Sequence, residues 1–156
     1  MSPSGKRILA IDPGERRLGL AISDPEGVLA SGLEVYQRRG LEEDLRYLQE
    51  VVEEWDVGEI VLGLPQNMDG SLGERAEEAL EFKRLLEERL RLPVHLFDER
   101  LTTAEAERVL LEADLSRRRR KRLRDKLAAV LILQGYLDRR RRRRSHSLPP
   151  SSDSPR

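Results

Sequence analysis

The sequence predicts an α/β protein built on a five-stranded mixed sheet. Apolar stretches of strand length alternate with amphipathic stretches of helix length, in the order β-β-β-α-β-α-β-α-α. Three consecutive strands at the start indicate an antiparallel meander, and the later strand–helix–strand repeats indicate parallel crossovers. We therefore expect one mixed sheet that is flanked by helices.

The first two strands are predicted to form a hairpin around a charged turn. Residues 8–11 are apolar in succession, as in a strand buried on both faces, and Asp12 follows them. Pro13-Gly14 makes the turn, and residues 18–22 form the second strand, which runs back along the first. Burying an acid at a strand end is costly unless something binds it, but Asp before Pro-Gly is also ordinary turn chemistry. On this stretch alone, Asp12 could equally well be a turn residue or a functional-site residue.

The remaining elements follow from apolar periodicity and from Gly and Pro breaks. Gly32 is a candidate position for a bulge in the third strand. The predicted elements after the hairpin are strands over 28–36, 59–64 and 94–97, and helices over 41–55, 74–90, 102–112 and 116–137, the last of which residues 139–144 could extend.

The length of 156 residues suits one domain with one core. We expect a disordered lead-in over 1–5, a folded domain over 6–138, and a basic, then Ser/Pro-rich, disordered tail over 139–156. The absence of cysteine excludes a disulfide framework, a thiolate zinc site and a Cys nucleophile. Without a membrane-length apolar run or a signal-peptide pattern, a cytoplasmic location is expected.

The net charge of zero hides a strong asymmetry along the chain. Residues 116–144 carry 14 Lys and Arg against two acids, a net of +12, so the rest of the chain sums to −12. A basic end on an acidic protein indicates an anionic partner such as nucleic acid. A solvated helix face with a disordered basic tail is the alternative explanation.

Four acids are candidates for one shared site. Asp98 and Glu99 end the fifth strand, and one of them shares a sheet edge with Asp12 if the first and fifth strands run parallel. Asp125 lies in the last helix. Three carboxylates from separate segments suit Mg²⁺ or Mn²⁺, which can activate water for phosphodiester hydrolysis. From spacing alone, ion pairs with neighbouring Lys and Arg explain these acids equally well.

Four ordered motifs closely resemble the YqgF/RuvX family, over roughly residues 6–138. The motifs are AIDPGERRLGLAISD, VLGLPQNMDGSLGERA, DERLTTAEAE and DKLAAVLILQGYL. That family has an RNase H-like fold and is associated with Holliday junction resolution and with maturation of the 5′ end of the 16S ribosomal RNA precursor. The resemblance implies a Mg²⁺- or Mn²⁺-dependent nuclease that acts on structured RNA or branched DNA.

Carried over position by position, the family's acids fall on Asp12, Glu99 and Asp125. Asp98 is a helper or the alternative occupant of the second-acid position. RNase H-like resolvases in general carry this second acid on the fourth strand, where this chain has Gly63-Leu64-Pro65. The resemblance therefore implies that the fifth strand supplies it here, and leaves the choice between Asp98 and Glu99 open.

Other polar residues near the same edge are candidate substrate contacts. A loop before a helix N-terminus can receive a phosphate, although a structured turn also explains such a loop. Arginines of the hairpin turn and of the basic helix over 117–126 can bind backbone phosphates. The candidates are Arg16, Arg17, Asn67, Asp69, Arg100, Thr102, Arg122 and Lys126. His95, in contrast, is predicted to be a core or edge residue rather than a ligand.

The sequence hypothesis is an endonuclease for the ribosomal RNA precursor, in which Asp12 bridges two metal ions. A resolvase of branched DNA would need two active sites across a two-fold axis, so both monomer and homodimer stay open. A non-catalytic nucleic-acid-binding module acting in translation or transcription is a third interpretation. The strand–turn–strand also resembles the phosphate loop of actin-like kinases, which need two such domains.

Overall fold

A computed structural model describes residues 6–64, 74–98 and 117–147 of the chain, with side chains described except at 74–76, 117–126 and 144–147. The elements within these ranges are β1 (Arg7–Pro13), β2 (Arg17–Ser23), β3 (Ala30–Gln37), α1 (Leu41–Trp55), β4 (Val57–Leu64), α2 (Glu74–Leu90), β5 (Val94–Asp98) and α3 (Arg117–Ser147).

The five strands form one mixed sheet in the order β3-β2-β1-β4-β5. β1 and β3 pair antiparallel with β2, whereas β4 pairs parallel with both β1 and β5. The predicted meander followed by parallel crossovers is confirmed. The bulge is also present, because Leu20 pairs with Glu34 while the next residue, Ala21, pairs with Gly32.

Helices cover both faces of the sheet. Side chains alternate along β1, so that Leu9 and Ile11 pack with α1 and α2, while Ile8 and Ala10 pack with α3. Each face has its own aliphatic cluster, as a chain with few aromatic residues requires. We call these two sides the α1–α2 face and the α3 face.

The bounds of α1 and α2 agree with the predicted helices over 41–55 and 74–90. α3 includes the extension over 139–144 that the sequence left open, and it continues to Ser147. The predicted domain end at residue 138 therefore lies inside the helix, and residues 139–147 are helical rather than part of a disordered tail. Arginine favours helix, and Arg139 and Arg140 contact the sheet, which explains the extension. The lead-in over 1–5, the predicted helix over 102–112 and the tail from 148 onward lie outside the described residues.

No helix in the described ranges is both long and apolar enough to cross a membrane.

Candidate active site

Asp12 lies at the carboxyl end of β1, at the edge of the sheet where β4 and β5 also end. Ile11 pairs with Leu62, and Gly63 pairs with Phe97. Continuing this register by one residue puts Asp12 level with Gly63 and Phe97. The condition set for a shared edge is therefore met: the first and fifth strands run parallel, with β4 between them and a separation of about 10 Å.

Asp12 and Asp98 have register positions on opposite faces of the sheet. Two residues before Asp12, Ala10 packs on the α3 face. Two residues before Asp98, Leu96 packs on the α1–α2 face. Because side chains alternate along a strand, Asp12 belongs to the α3 face and Asp98 to the other. The backbone brings both acids to one edge of the sheet but not to one face.

Two buried glycines flank Asp12 within the sheet. Gly19 is its antiparallel partner on β2, and Gly63 is its neighbour on β4. Neither glycine places a side chain beside Asp12 on the α3 face. Mg²⁺ and Mn²⁺ need hard oxygen ligands and open positions for water and phosphate. The carboxylate of Asp12 is a ligand of the kind that such an ion takes.

α3 packs across this face of the sheet. Near its middle, Gln134 donates to the carbonyl of Val28 and accepts from the amide of Ala30, at distances of 3.0 and 2.9 Å. Further along, the Tyr136 hydroxyl donates to Glu59 at 2.7 Å. These partners lie at the sheet edge opposite Asp12. These contacts fix the middle of α3 at that opposite edge, nine residues after Asp125.

The lengths of α3 and β1 allow Asp125 to reach the level of Asp12. Asp125 precedes Gln134 by nine residues, which is about 13 Å of helix. Gln134 bonds to Ala30, which is level with Ile8 through Ser23. Asp12 follows Ile8 by four residues, or about 13 Å of strand. The convergence of Asp125 on Asp12 stays a prediction.

Several predicted site residues cannot be placed. Glu99 and the candidate contacts Asn67, Asp69, Arg100 and Thr102 lie outside the described residues, and only the backbone of Asp125, Arg122 and Lys126 is described. Within the part of the chain that the structure describes, no three His, Asp or Glu side chains converge on a metal-sized position. This finding does not test the predicted set of Asp12, Glu99 and Asp125, because the side chains of Glu99 and Asp125 are outside the described part of the chain.

The two hairpin arginines take different positions. Arg16 is exposed in the turn between β1 and β2. Arg17 begins β2, two residues before Gly19, so it has the register of the α3 face, which Asp12 shares. His95 is exposed on β5, an edge strand, as predicted, where its Nε2 lies 3.2 Å from a carboxylate oxygen of Glu59.

A buried ion pair supports the turn that follows Asp12. Asp44, near the start of α1, has no exposed side-chain area and accepts hydrogen bonds from Arg38 Nε at 2.9 Å and from the amide of Arg39 at 3.0 Å. Arg38 donates through Nη1 to the carbonyl of Gly14 at 2.9 Å and through its amide to the carbonyl of Arg16 at 2.8 Å. One guanidinium therefore ties the hairpin turn to α1.

Neither residue of this pair was among the site residues predicted from the sequence. A signal was present in the spacing. Asp44 stands four residues before Leu48 and seven before Val51, both buried, and hence on the buried stripe of α1. An acid on such a stripe requires a partner.

The buried carboxylate of Asp44 should make the fold sensitive to acid. Burial alone would raise the pKa of Asp44, but hydrogen bonds from the backbone of Arg39 and from Arg38 and Tyr36 lower it overall. A lowered folded-state pKa adds stability above the ordinary Asp value of about 3.9, and this stability is lost as the pH falls through the folded-state pKa.

We therefore expect the gap in unfolding free energy between the unchanged chain and Asp44→Asn to narrow below about pH 4. Urea unfolding of both proteins from pH 7 to pH 3 measures this gap. A constant gap over the whole range would contradict the prediction.

The α1–α2 side of the same edge is acidic. A groove of about 960 Å³ opens there, lined by Pro13, Gly14 and Arg38 together with Glu15, Glu77, Glu78 and Glu81. Four exposed carboxylates repel phosphate, and one arginine that is already paired does not offset them. Nucleic acid is therefore favoured on the α3 face, where Asp12 has its register and the basic helix lies.

Comparisons with known proteins agree with this architecture. A family model described as "RuvX: Holliday junction resolvase" matches residues 6–139. A protein of Syntrophomonas wolfei named "Putative pre-16S rRNA nuclease" is 58% identical over 132 residues, which cover 85% of this chain and 94% of that protein. A protein of the same name from Moorella thermoacetica is 56% identical over 133 residues, covering 85% and 95%.

The structure is also similar to Thermus thermophilus RuvC, solved in complex with a Holliday junction substrate. The TM-score is 0.57 at 19% sequence identity, over 87% of this chain and 96% of RuvC. At this identity the likeness concerns the fold alone, which is RNase H-like. On the family match and on relatives of more than half identical sequence, the chain belongs to the RuvX family.

Proposed function

We propose that this protein is a metal-dependent endonuclease that hydrolyses phosphodiester bonds at the 5′ end of the 16S ribosomal RNA precursor. The observation that carries the proposal is the position of Asp12, on the α3 face of the sheet edge and between two glycines. Relatives named for precursor ribosomal RNA support the choice of substrate. A protein with this task would work in the cytoplasm.

Asp12, Glu99 and Asp125 would hold Mg²⁺ or Mn²⁺, all through hard carboxylate oxygens. A bound ion supplies an activated water and stabilises the leaving oxygen of the cleaved bond. The protein would hold these oxygens in place, with β1 fixing Asp12 within the sheet and α3 carrying Asp125 toward the same edge.

The alternation along β5 favours Glu99 over Asp98 as the second ligand. His95 and Phe97 point away from the α1–α2 cluster, and Phe97 packs in the α3-side cluster. Glu99 is the next residue with this parity in the sequence, whereas Asp98 has the parity of Leu96. Glu99 therefore suits the face that Asp12 uses.

We expect Glu99→Gln to lower metal-dependent cleavage about tenfold or more, and Asp98→Asn to lower it less, since only the first removes a ligand. Single-turnover cleavage rates of the two variants under the same conditions make the comparison. A larger loss in Asp98→Asn would reverse the assignment.

Positive charge would hold the substrate on the α3 face. Arg17 shares the register of Asp12, and Arg16 is exposed at the adjoining turn. Arg122 and Lys126 belong to the N-terminal half of α3, which would lie toward this edge. Phosphate contacts of this kind position a nucleic acid without reading its sequence. Asn67, Asp69, Arg100 and Thr102 complete the proposed set of contacts.

The direct experiment is to incubate the purified chain with precursor 16S RNA and with Mg²⁺, Mn²⁺ or a chelator. Cleavage near the mature 5′ end with either ion, and none with the chelator, is the expected result. RNA that stays intact with both ions, although it binds saturably, would overturn the nuclease and favour a binding module.

The family description favours a second candidate substrate, the four-way DNA junction. Cutting a junction symmetrically requires two copies of the active site related by a two-fold axis. A junction offered in the same assay, together with sedimentation of the protein, distinguishes the candidates. Paired incisions by a dimer would establish the DNA substrate, and a monomer that leaves junctions intact would exclude it.

A further inference from the structure

The last turns of α3 carry an arginine run beyond the segment matched to the family. The family match ends at residue 139, whereas arginine fills every position over 139–143 within the helix. Four of these five side chains are exposed, and that of Arg140 is half-buried. The helix thus exposes a cluster of positively charged side chains to solvent, at the end of α3 that is remote from Asp12.

Contacts with the sheet hold this end of the helix in place. Arg140 Nη1 lies 3.0 Å from Glu59 Oε1, and the other oxygen of the same carboxylate accepts from Tyr136 at 2.7 Å. The guanidinium of Arg139 stacks over the ring of Phe97, 5.6 Å from its centroid. The arginine run is therefore presented on an anchored scaffold and not on a free chain end.

The cations exceed what the neighbouring carboxylates can pair. Glu59 is engaged by Arg140, and Asp138 is paired with Arg141 at 2.8 Å. Among the described residues, neither Arg142 nor Arg143 is in an ion pair. One or two cations would satisfy the helix dipole, but like charges three and four residues apart destabilise a helix. A polyanion laid along this surface would relieve that repulsion.

We propose that Arg142 and Arg143, with Arg139 one turn before them, form a docking surface for the phosphate backbone of structured RNA, at a second position far from the catalytic edge. Arg142 follows Asp125 by 17 residues, or roughly 25 Å of helix. RNA is favoured over an anionic membrane because the same helix also carries eight Lys and Arg over 117–126, beside the proposed catalytic edge. The choice of RNA rests on the proposed function.

Binding of RNA hairpins without metal tests the surface separately from catalysis. Every protein in this experiment is the full chain with Asp12→Asn. The hairpins have stems of about 20 and about 5 base pairs, because only the longer stem can reach from the catalytic edge to a surface about 25 Å away. Arg142→Gln/Arg143→Gln should weaken binding of the long stem roughly tenfold and lower its salt slope by about 2. The affinity for the short stem should stay unchanged.

Arg46→Gln/Arg84→Gln is the matched control, since it removes the same charge from exposed positions of α1 and α2. Arg142→Lys/Arg143→Lys, which keeps the charge, should bind the long stem like the parent, and circular dichroism should show the helix intact in every variant. Equal affinity of the two glutamine pairs for the long stem would overturn the proposal. The proposal would also be overturned if Arg142→Gln/Arg143→Gln lost binding to phosphatidylserine vesicles while its affinity for RNA stayed unchanged. If the chain without Asp12→Asn binds RNA through this surface but never cleaves it with Mg²⁺ or Mn²⁺, the nuclease function alone is overturned.

Discussion

Asp12→Asn is expected to lower the rate of metal-dependent RNA cleavage at least about 100-fold while leaving RNA affinity and thermal stability nearly unchanged. The amide has the shape of the carboxylate but lacks the anionic oxygen that a hard divalent cation requires. Changes in residues that only support metal ligands already cost roughly 10–100-fold, so a ligand should cost at least as much. Single-turnover cleavage over a range of Mg²⁺ concentrations measures the loss.

Asp56→Asn is the matched control, with the same chemical change at the opposite edge of the sheet. Asp56 is exposed and left-handed at the end of α1, a conformation that Asn tolerates. Its ion pair with Lys6 is solvent-exposed and therefore weak. Asp12→Asn cleaving within about threefold of this control would remove Asp12 from the site.

Arg38→Met is expected to lower the free energy of unfolding by about 3–5 kcal/mol, the usual cost of leaving a buried acid without its cation. Asp44 would keep its buried carboxylate, and the carbonyl of Gly14 would lose its donor. Methionine keeps an unbranched apolar side chain beside Phe82, over whose ring the Arg38 guanidinium lies, 5.5 Å from the centroid. Urea unfolding at pH 7 measures the change.

The double variant Arg38→Met/Asp44→Leu separates the ion pair from packing. Removing both partners leaves no charge to desolvate, so it should be at least about 1 kcal/mol more stable than Arg38→Met alone. Lys6→Met, at an exposed pair, should change stability by less than about 0.5 kcal/mol. A double variant less stable than Arg38→Met would mean that Asp44 stabilises the fold through its other hydrogen bonds.

The sheet and the helices of one face were predictable because each is specified by local periodicity. The helices over 41–55 and 74–90 carry one apolar stripe each, and a Gly or Pro lies near their ends. The extension of α3 was not predictable in this way. Six consecutive arginines have no periodicity, and the contacts that favour helix there, from Arg140 to Glu59 and from Arg139 to Phe97, join segments far apart in the chain.

In the candidate site, too, local sequence patterns predicted some features, whereas others depend on contacts that form only in the folded chain. The sequence motifs predicted Asp12 at a strand end and parallel first and fifth strands, and the observed register agrees. The opposite faces of Asp12 and Asp98 depend on which cluster each strand packs against, which only the folded sheet reveals. The role of Arg38 could not be predicted from the sequence, because it donates a hydrogen bond to a backbone carbonyl and no sequence pattern indicates such a bond.

The bulge in β3 bears on how two copies of this chain could associate. β3 forms one border of the sheet, and the extra residue between the partners of Leu20 and Ala21 bends it and interrupts its regular ladder. Bent borders of this kind resist the addition of a strand from another molecule. If two subunits ever meet over a branched substrate, they should do so through a helical layer and not by continuing the sheet at β3.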